Sequence, residues 1–149
     1  MRICSLVIVL VIAVFFISLS VDAASPVVVK GDDSALSKVY AEFYGACKEG
    51  NADKVRELMT SERRNVFDRE TKELKELFFE MLAAYPNEIY INEPVVEGPK
   101  ATFTVTGKTV TENKSGTTTE ELKGTITMHL EEGKWKVGKE EWSSKVTHK

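Results

Sequence analysis

The chain has 149 residues with 20 Lys+Arg against 23 Asp+Glu, a formal charge of -3. That length suits one domain, and 42% hydrophobic residues are enough for a core, which excludes a disordered chain. The mildly acidic balance argues against a general nucleic-acid binder, which needs a basic surface, and two cysteines are too few for a disulfide scaffold.

Residues 1–24 read as an address. Arg2 precedes an apolar run from Leu6 to Leu19, and Val21-Asp22-Ala23 offers compact residues ahead of cleavage after Ala23 or Ala24. This is a secretory signal pattern and predicts a secreted or periplasmic protein. The alternative is a retained anchor, because no charge falls between Ile3 and Val21 and about 20 such residues span a bilayer. After cleavage only Cys47 remains, so no internal disulfide is expected. Cys47 falls in phase with apolar neighbours and reads as a small buried hydrophobe.

Residues 25–33 form a lead bounded by Pro26 and Gly31. Ser34 can cap a helix running to about Glu49, with Leu36, Val39, Tyr40, Phe43, Ala46 and Cys47 in one stripe. Asn51 can cap a shorter helix that turns Val55, Leu58 and Met59 inward. Ser61 to Asp68 reads as a turn or short helix. A third helix is predicted over 69–84, with Leu74, Leu77, Phe78, Met81, Leu82 and Tyr85 on its inner side and Pro86 ending it.

From Glu88 the apolar period changes to two. Ile89 and Ile91, then Ala101 to Thr109, then Leu122 to Leu130, then Trp135 and Val137 predict four antiparallel strands with helices on one side. With Ser115-Gly116 at the first turn, Phe103 faces Met128, Val105 faces Ile126 and Gly107 faces Gly124. With Glu132-Gly133 at the second, Leu130 meets Trp135 and Met128 meets Val137. Both registers keep the apolar residues on one face. The facing glycines predict a place where the sheet bends. The domain is bounded at 34–143, with 144–149 as a tail.

Val39-Tyr40-Ala41-Glu42-Phe43-Tyr44-Gly45-Ala46-Cys47-Lys48-Glu49-Gly50-Asn51-Ala52-Asp53, then Leu58-Met59-Thr60-Ser61, and the ending Gly133-Lys134-Trp135-Lys136-Val137 resemble the nuclear transport factor two-like superfamily. Small exported bacterial domains described as lumazine-binding-like, or of unknown function, are the most similar in wording. The resemblance implies an α+β cone, with N-terminal helices packed on a curled four-stranded antiparallel sheet and a binding site between them. It says little about activity, since that fold hosts isomerases, transport factors and accessory domains.

The strand residues expected to line the cone carry no group that ionises near neutral pH, whereas acid–base catalysis needs one within reach of substrate. The leading expectation is therefore a non-enzymatic exported domain with an apolar cone that holds a small apolar ligand or a protein partner. Its candidate lining is Tyr40, Tyr44, Glu93, Phe103, Met128 and Trp135, with no metal and no cofactor. One alternative is a cone-type isomerase or dehydratase using Glu93 with Tyr40 or Tyr44. Another is a self-associating structural or immunity-type module. Trp142 falls out of parity with Trp135 and Val137, which places it on the outer sheet face, where it would suit a homodimer. His129 is expected to face solvent, and no second histidine lies near enough in sequence to suggest a metal site. Arg63 and Arg64 could meet an acidic partner. Asn113-Lys114-Ser115 matches a glycosylation sequon, read as chance in a bacterial chain.

Overall fold

The computed structural model describes residues 26–149, so the signal segment lies outside the described residues. The chain runs β1 (Val28–Gly31), α1 (Ala35–Lys48), α2 (Ala52–Leu58), α3 (Ser61–Arg69), α4 (Lys72–Ala83), β2 (Glu88–Ile91), β3 (Val95–Glu97), β4 (Lys100–Asn113), β5 (Gly116–Glu131) and β6 (Lys134–His148). All six strands form one sheet in the order β1-β2-β4-β5-β6, with β3 folded back onto β4. The class is α+β, and the sheet is antiparallel apart from the β1–β2 pair.

Each helix begins where a small polar side chain captures a free backbone N–H. Ser34 accepts from Ser37, Asn51 from Lys54, Thr60 from Arg63 and Thr71 from Leu74. Thr71 is why the helix expected from residue 69 starts at Lys72, with α3 a separate helix before it. At the other end of α4, the Lys48 ammonium donates to the Ala83 carbonyl at 3.0 Å and to that of Tyr85, covering acceptors the helix leaves free.

Two strands, β1 and β3, lie beyond the expected four, and β1 comes from a segment read as a lead. Val28 and Val29 lie in the supposed lead, yet they pair parallel to Glu88 and Ile89. Gly31 closes that strand at φ +93°, where a Cβ would lie 2.2 Å from the Ile91 carbonyl oxygen. The supposed tail is likewise the end of β6, pairing as far as His148 with Thr118.

The β4–β5 hairpin turns one residue earlier than expected, around Lys114-Ser115. Asn113 Oδ1 accepts from Ser115 N at 2.9 Å and from Ser115 Oγ at 2.6 Å, which builds the turn there. Phe103 therefore faces Ile126, and Ala101 faces Met128. This shift of two in the pairing leaves every side chain on its expected face, so hydrophobic alternation alone could not exclude it. It does separate the glycines: Gly107 faces Leu122, and Gly124 faces Val105. Each makes room for a large neighbour. A Cβ at Gly124 would lie 2.8 Å from the Trp142 ring, and one at Gly107 2.9 Å from Pro86.

The β5–β6 hairpin starts as expected. Glu132 and Gly133 both take positive φ, as a two-residue hairpin turn requires, and Leu130 meets Trp135. The register then breaks. Met128 pairs with Val137 but Thr127 pairs with Lys139, leaving Gly138 as a bulge. Side chains after it change faces. Glu140 and Trp142 turn inward, which corrects the outward placement of Trp142.

The core lies between α1 and the inner sheet face. Tyr40, Phe43, Tyr44 and Cys47 are buried against Ile91, Phe103, Ile126 and Met128. Tyr40 meets Phe103 edge-on with centroids 5.3 Å apart.

Candidate functional site

The expected apolar lining is filled. Tyr40 and Met128 are fully buried and Phe103 is 3% exposed, so they form packed core. Trp135 sits half-buried at the margin. The Tyr44 hydroxyl donates to the Pro86 carbonyl at 2.7 Å, and the Tyr40 hydroxyl donates to Glu140 Oε1 at 2.8 Å. Glu93 does not join them. It is exposed after β2, on a shallow depression with Asn92, Val95 and Thr102. The pairing of Glu93 with a tyrosine, which the enzyme reading needs, is not formed.

The expectation of an interior free of ionisable groups fails at Glu140. The Gly138 bulge turns this carboxylate inward, where its side chain is 6% exposed. Arg63 of α3 pairs with it at 2.6 Å, and the guanidinium lies 5.1 Å from the centre of the Phe43 ring. The acidic partner of Arg63 is thus inside its own chain. Arg63 Nη1 is buried without a hydrogen-bond partner. Burial, then the Glu140 charge and the hydrogen bond to it, holds the Tyr40 phenol well above its ordinary range. Burial, then Glu140, pushes the Cys47 thiol up as well, so it stays protonated and unreactive. The triad clamps α1, α3 and β6 together, and none of its three residues presents a free acid or base to a substrate. Sequence parity missed Glu140. The signal that could have found it is a glycine inside a strand, which often marks a bulge.

The more usable surface lies between α3 and α4. A groove of about 480 Å³ is lined by Met59, Val66, Phe67, Leu74 and Phe78, with Arg63, Glu70 and Lys75 among them. Phe67 and Phe78 meet edge-on at 6.0 Å in this lining, and Phe79 packs edge-on against both at 6.2 and 5.2 Å. Val66 is 55% and Leu74 50% exposed. Leu77 and Met81 continue the apolar row along α4 outside the groove, which corrects the expectation that this row packs inward. A wider depression of about 850 Å³ lies on the outer sheet face, among Lys30, Lys108, Lys123 and Lys145 with Glu88 and Glu121. Among the described residues no cluster of His, Cys, Asp or Glu is arranged to hold a metal, and no helix is long and apolar enough to cross a membrane.

No protein-family model and no curated protein matches the chain. Solved structures do. The crystal structure of a Shewanella frigidimarina protein named provisionally as a ketosteroid isomerase matches with a TM-score of 0.53 and 19% identity, over 74% of this chain and 96% of that one. The solution structure of a SEC-C motif containing protein from Rhodopseudomonas palustris matches with a TM-score of 0.50 and 14% identity, over 69% and 74%. At such identities the likeness speaks for architecture alone. The chain shares the fold of these structures, an α+β architecture with helices on one face of a long, mostly antiparallel sheet, which agrees with the cone implied by its resemblance to the nuclear transport factor two-like superfamily.

Proposed function

We propose that the chain is an exported, non-enzymatic binding domain whose ligand is a small, uncharged apolar molecule seated between α3 and α4. The observation that carries this reading is the α3–α4 groove: Val66 and Leu74 stay half-exposed beside Phe67 and Phe78, in a volume of about 480 Å³. Ligand clefts typically span roughly 300–1,000 Å³ and are mostly apolar. An uncharged ligand follows from the charge balance, since Arg63 is paired with Glu140 and leaves Lys75 beside Glu70. A holding role is favoured over catalysis because the internal carboxylate is committed to Tyr40 and Arg63. Export rests on the pattern of residues 1–24.

Titration with the neutral fluorescent probe N-phenyl-1-naphthylamine tests it. Saturable enhancement is expected, lost in Val66→Glu and Leu74→Glu and kept in Glu93→Gln. Absence of saturable binding in the parent chain overturns the small-molecule reading. The exposed Leu77 and Met81 would then favour a protein contact along α4.

A further inference from the structure

We propose that the free edge of β6 pairs with the same edge of a second copy of this chain, joining two sheets into one. β6 is the last strand of the sheet and has a ladder partner on one side only. Its first part is closed on the other side. Met59 bridges Val137, and Thr60 N donates to the Val137 carbonyl at 3.1 Å. Beyond the bulge only the Arg63 side chain reaches β6 from α3, on Glu140, and no strand or backbone hydrogen bond of the described chain closes the edge.

The direction of the backbone groups follows from the far end. Lys149 and Thr117 exchange both bonds, at 2.9 and 3.0 Å. Antiparallel ladders alternate bonded and non-bonded pairs. From Lys139 onward the odd-numbered residues therefore bond to β5, and Glu140, Trp142, Ser144, Val146 and His148 aim their N–H and C=O groups at the free edge. No backbone group of these five bonds to any other part of the described chain. An open edge of this length is a template for another strand unless something opposes pairing.

The charges choose the partner and the register. Lys139, Glu141 and Lys145 share the outer face of β6, as the pairing after the bulge places them. With a two-fold axis at Ser143, Trp142 and Ser144 of the two copies form bonded pairs, as do Glu140 and Val146, each exchanging two backbone bonds. The non-bonded pairs then set Glu141 opposite Lys145 twice, at the closer spacing where side chains interact best. Moving the axis to Trp142 sets Lys139 against Lys145 twice. Moving it to Ser144 sets Lys139 against Lys149. Like charges directly opposite oppose pairing, so one register is favoured and the lysines that would deter a foreign strand select a copy of the same one. This pairing involves neither the α3–α4 groove nor its ligand.

Cysteine cross-linking in the full chain, with Cys4 replaced by Ser, tests the register. Ser143→Cys sits on the axis in a non-bonded pair, with Cα atoms close enough for a disulfide. Mild oxidation should convert most of it to a covalent dimer on a non-reducing gel, with at least several-fold less from Ser144→Cys. Adding Glu141→Lys should suppress the Ser143→Cys dimer, and adding Lys145→Glu to that should restore it. A monomeric Ser143→Cys chain, a cross-link indifferent to Glu141→Lys, or a stronger one from Ser144→Cys would each overturn the proposal.

Discussion

Helices α1 and α4 carry the same kind of apolar stripe and meet different fates. In α1 the stripe from Leu36 to Cys47 is buried between the sheet and the other helices. In α4 only Leu82 is buried, Phe78 and Phe79 are half-covered, and Leu74, Leu77 and Met81 are exposed by about half. The cause is position. α1 lies on the sheet with α2 and α4 around it, whereas α4 leans on α1 and Phe67 and has nothing on its outer side among the described residues. Spacing shows that a helix has two faces. It does not show whether the apolar face finds its partner within the same chain.

The largest test of this contrast removes the α1 side. Phe43→Ala should cost about 3–5 kcal/mol, as full truncation of a buried aromatic does, read by urea unfolding. Glu140→Ala should cost a similar amount, about 3–5 kcal/mol, because it strands the largely buried Arg63 charge. Combining Glu140→Leu with Arg63→Met should recover most of that loss, since matched apolar replacements remove both charges together. A cost for the double variant as large as for Glu140→Ala would show that packing, not charge, holds α3 to β6.

Gly124→Ala should cost about 1–3 kcal/mol by driving a methyl into the Trp142 ring, and a change in tryptophan fluorescence should accompany it. Acid probes the start of α1. Asp32 Oδ2 accepts from the Ser34 and Ser37 hydroxyls at 2.5 and 2.6 Å, and these bonds hold its carboxyl below the ordinary range. A depressed folded value means the contribution is complete above the unfolded value, about 3.9, and is lost as pH falls through the folded one. Asp32→Asn should therefore lower stability at neutral pH and flatten the acid limb of a melting-temperature profile. The smallest effect belongs to α4. Leu77→Ser should change stability by no more than about 0.5 kcal/mol, and a loss as large as that of Phe43→Ala would mean this face is covered after all.

Much of the plan was legible in the residues. Ser34 and Asn51 cap the helices they were expected to cap, and Glu132-Gly133 makes its turn. The departures share a cause: each depends on information that alternation does not carry. The pairing shift at Asn113 preserves every face, so only the local turn bonds decide it. Val28 and Val29 become a strand because Glu88 and Ile89 offer an edge far away in sequence. Glu140 and Arg63 could not be paired without counting one residue of β6 as unpaired.

That uncounted residue has a consequence for related chains. Numbered forward from the turn at Gly133 or backward from the end of the strand, positions in β6 differ by one step across Gly138. Deleting Gly138 would keep every remaining rung of the ladder and leave Glu140 and Trp142 indoors, merely straightening the strand. A homologue one residue shorter there has not lost its acid or its indole, and an alignment that places no gap at this point will pair them with the wrong neighbours.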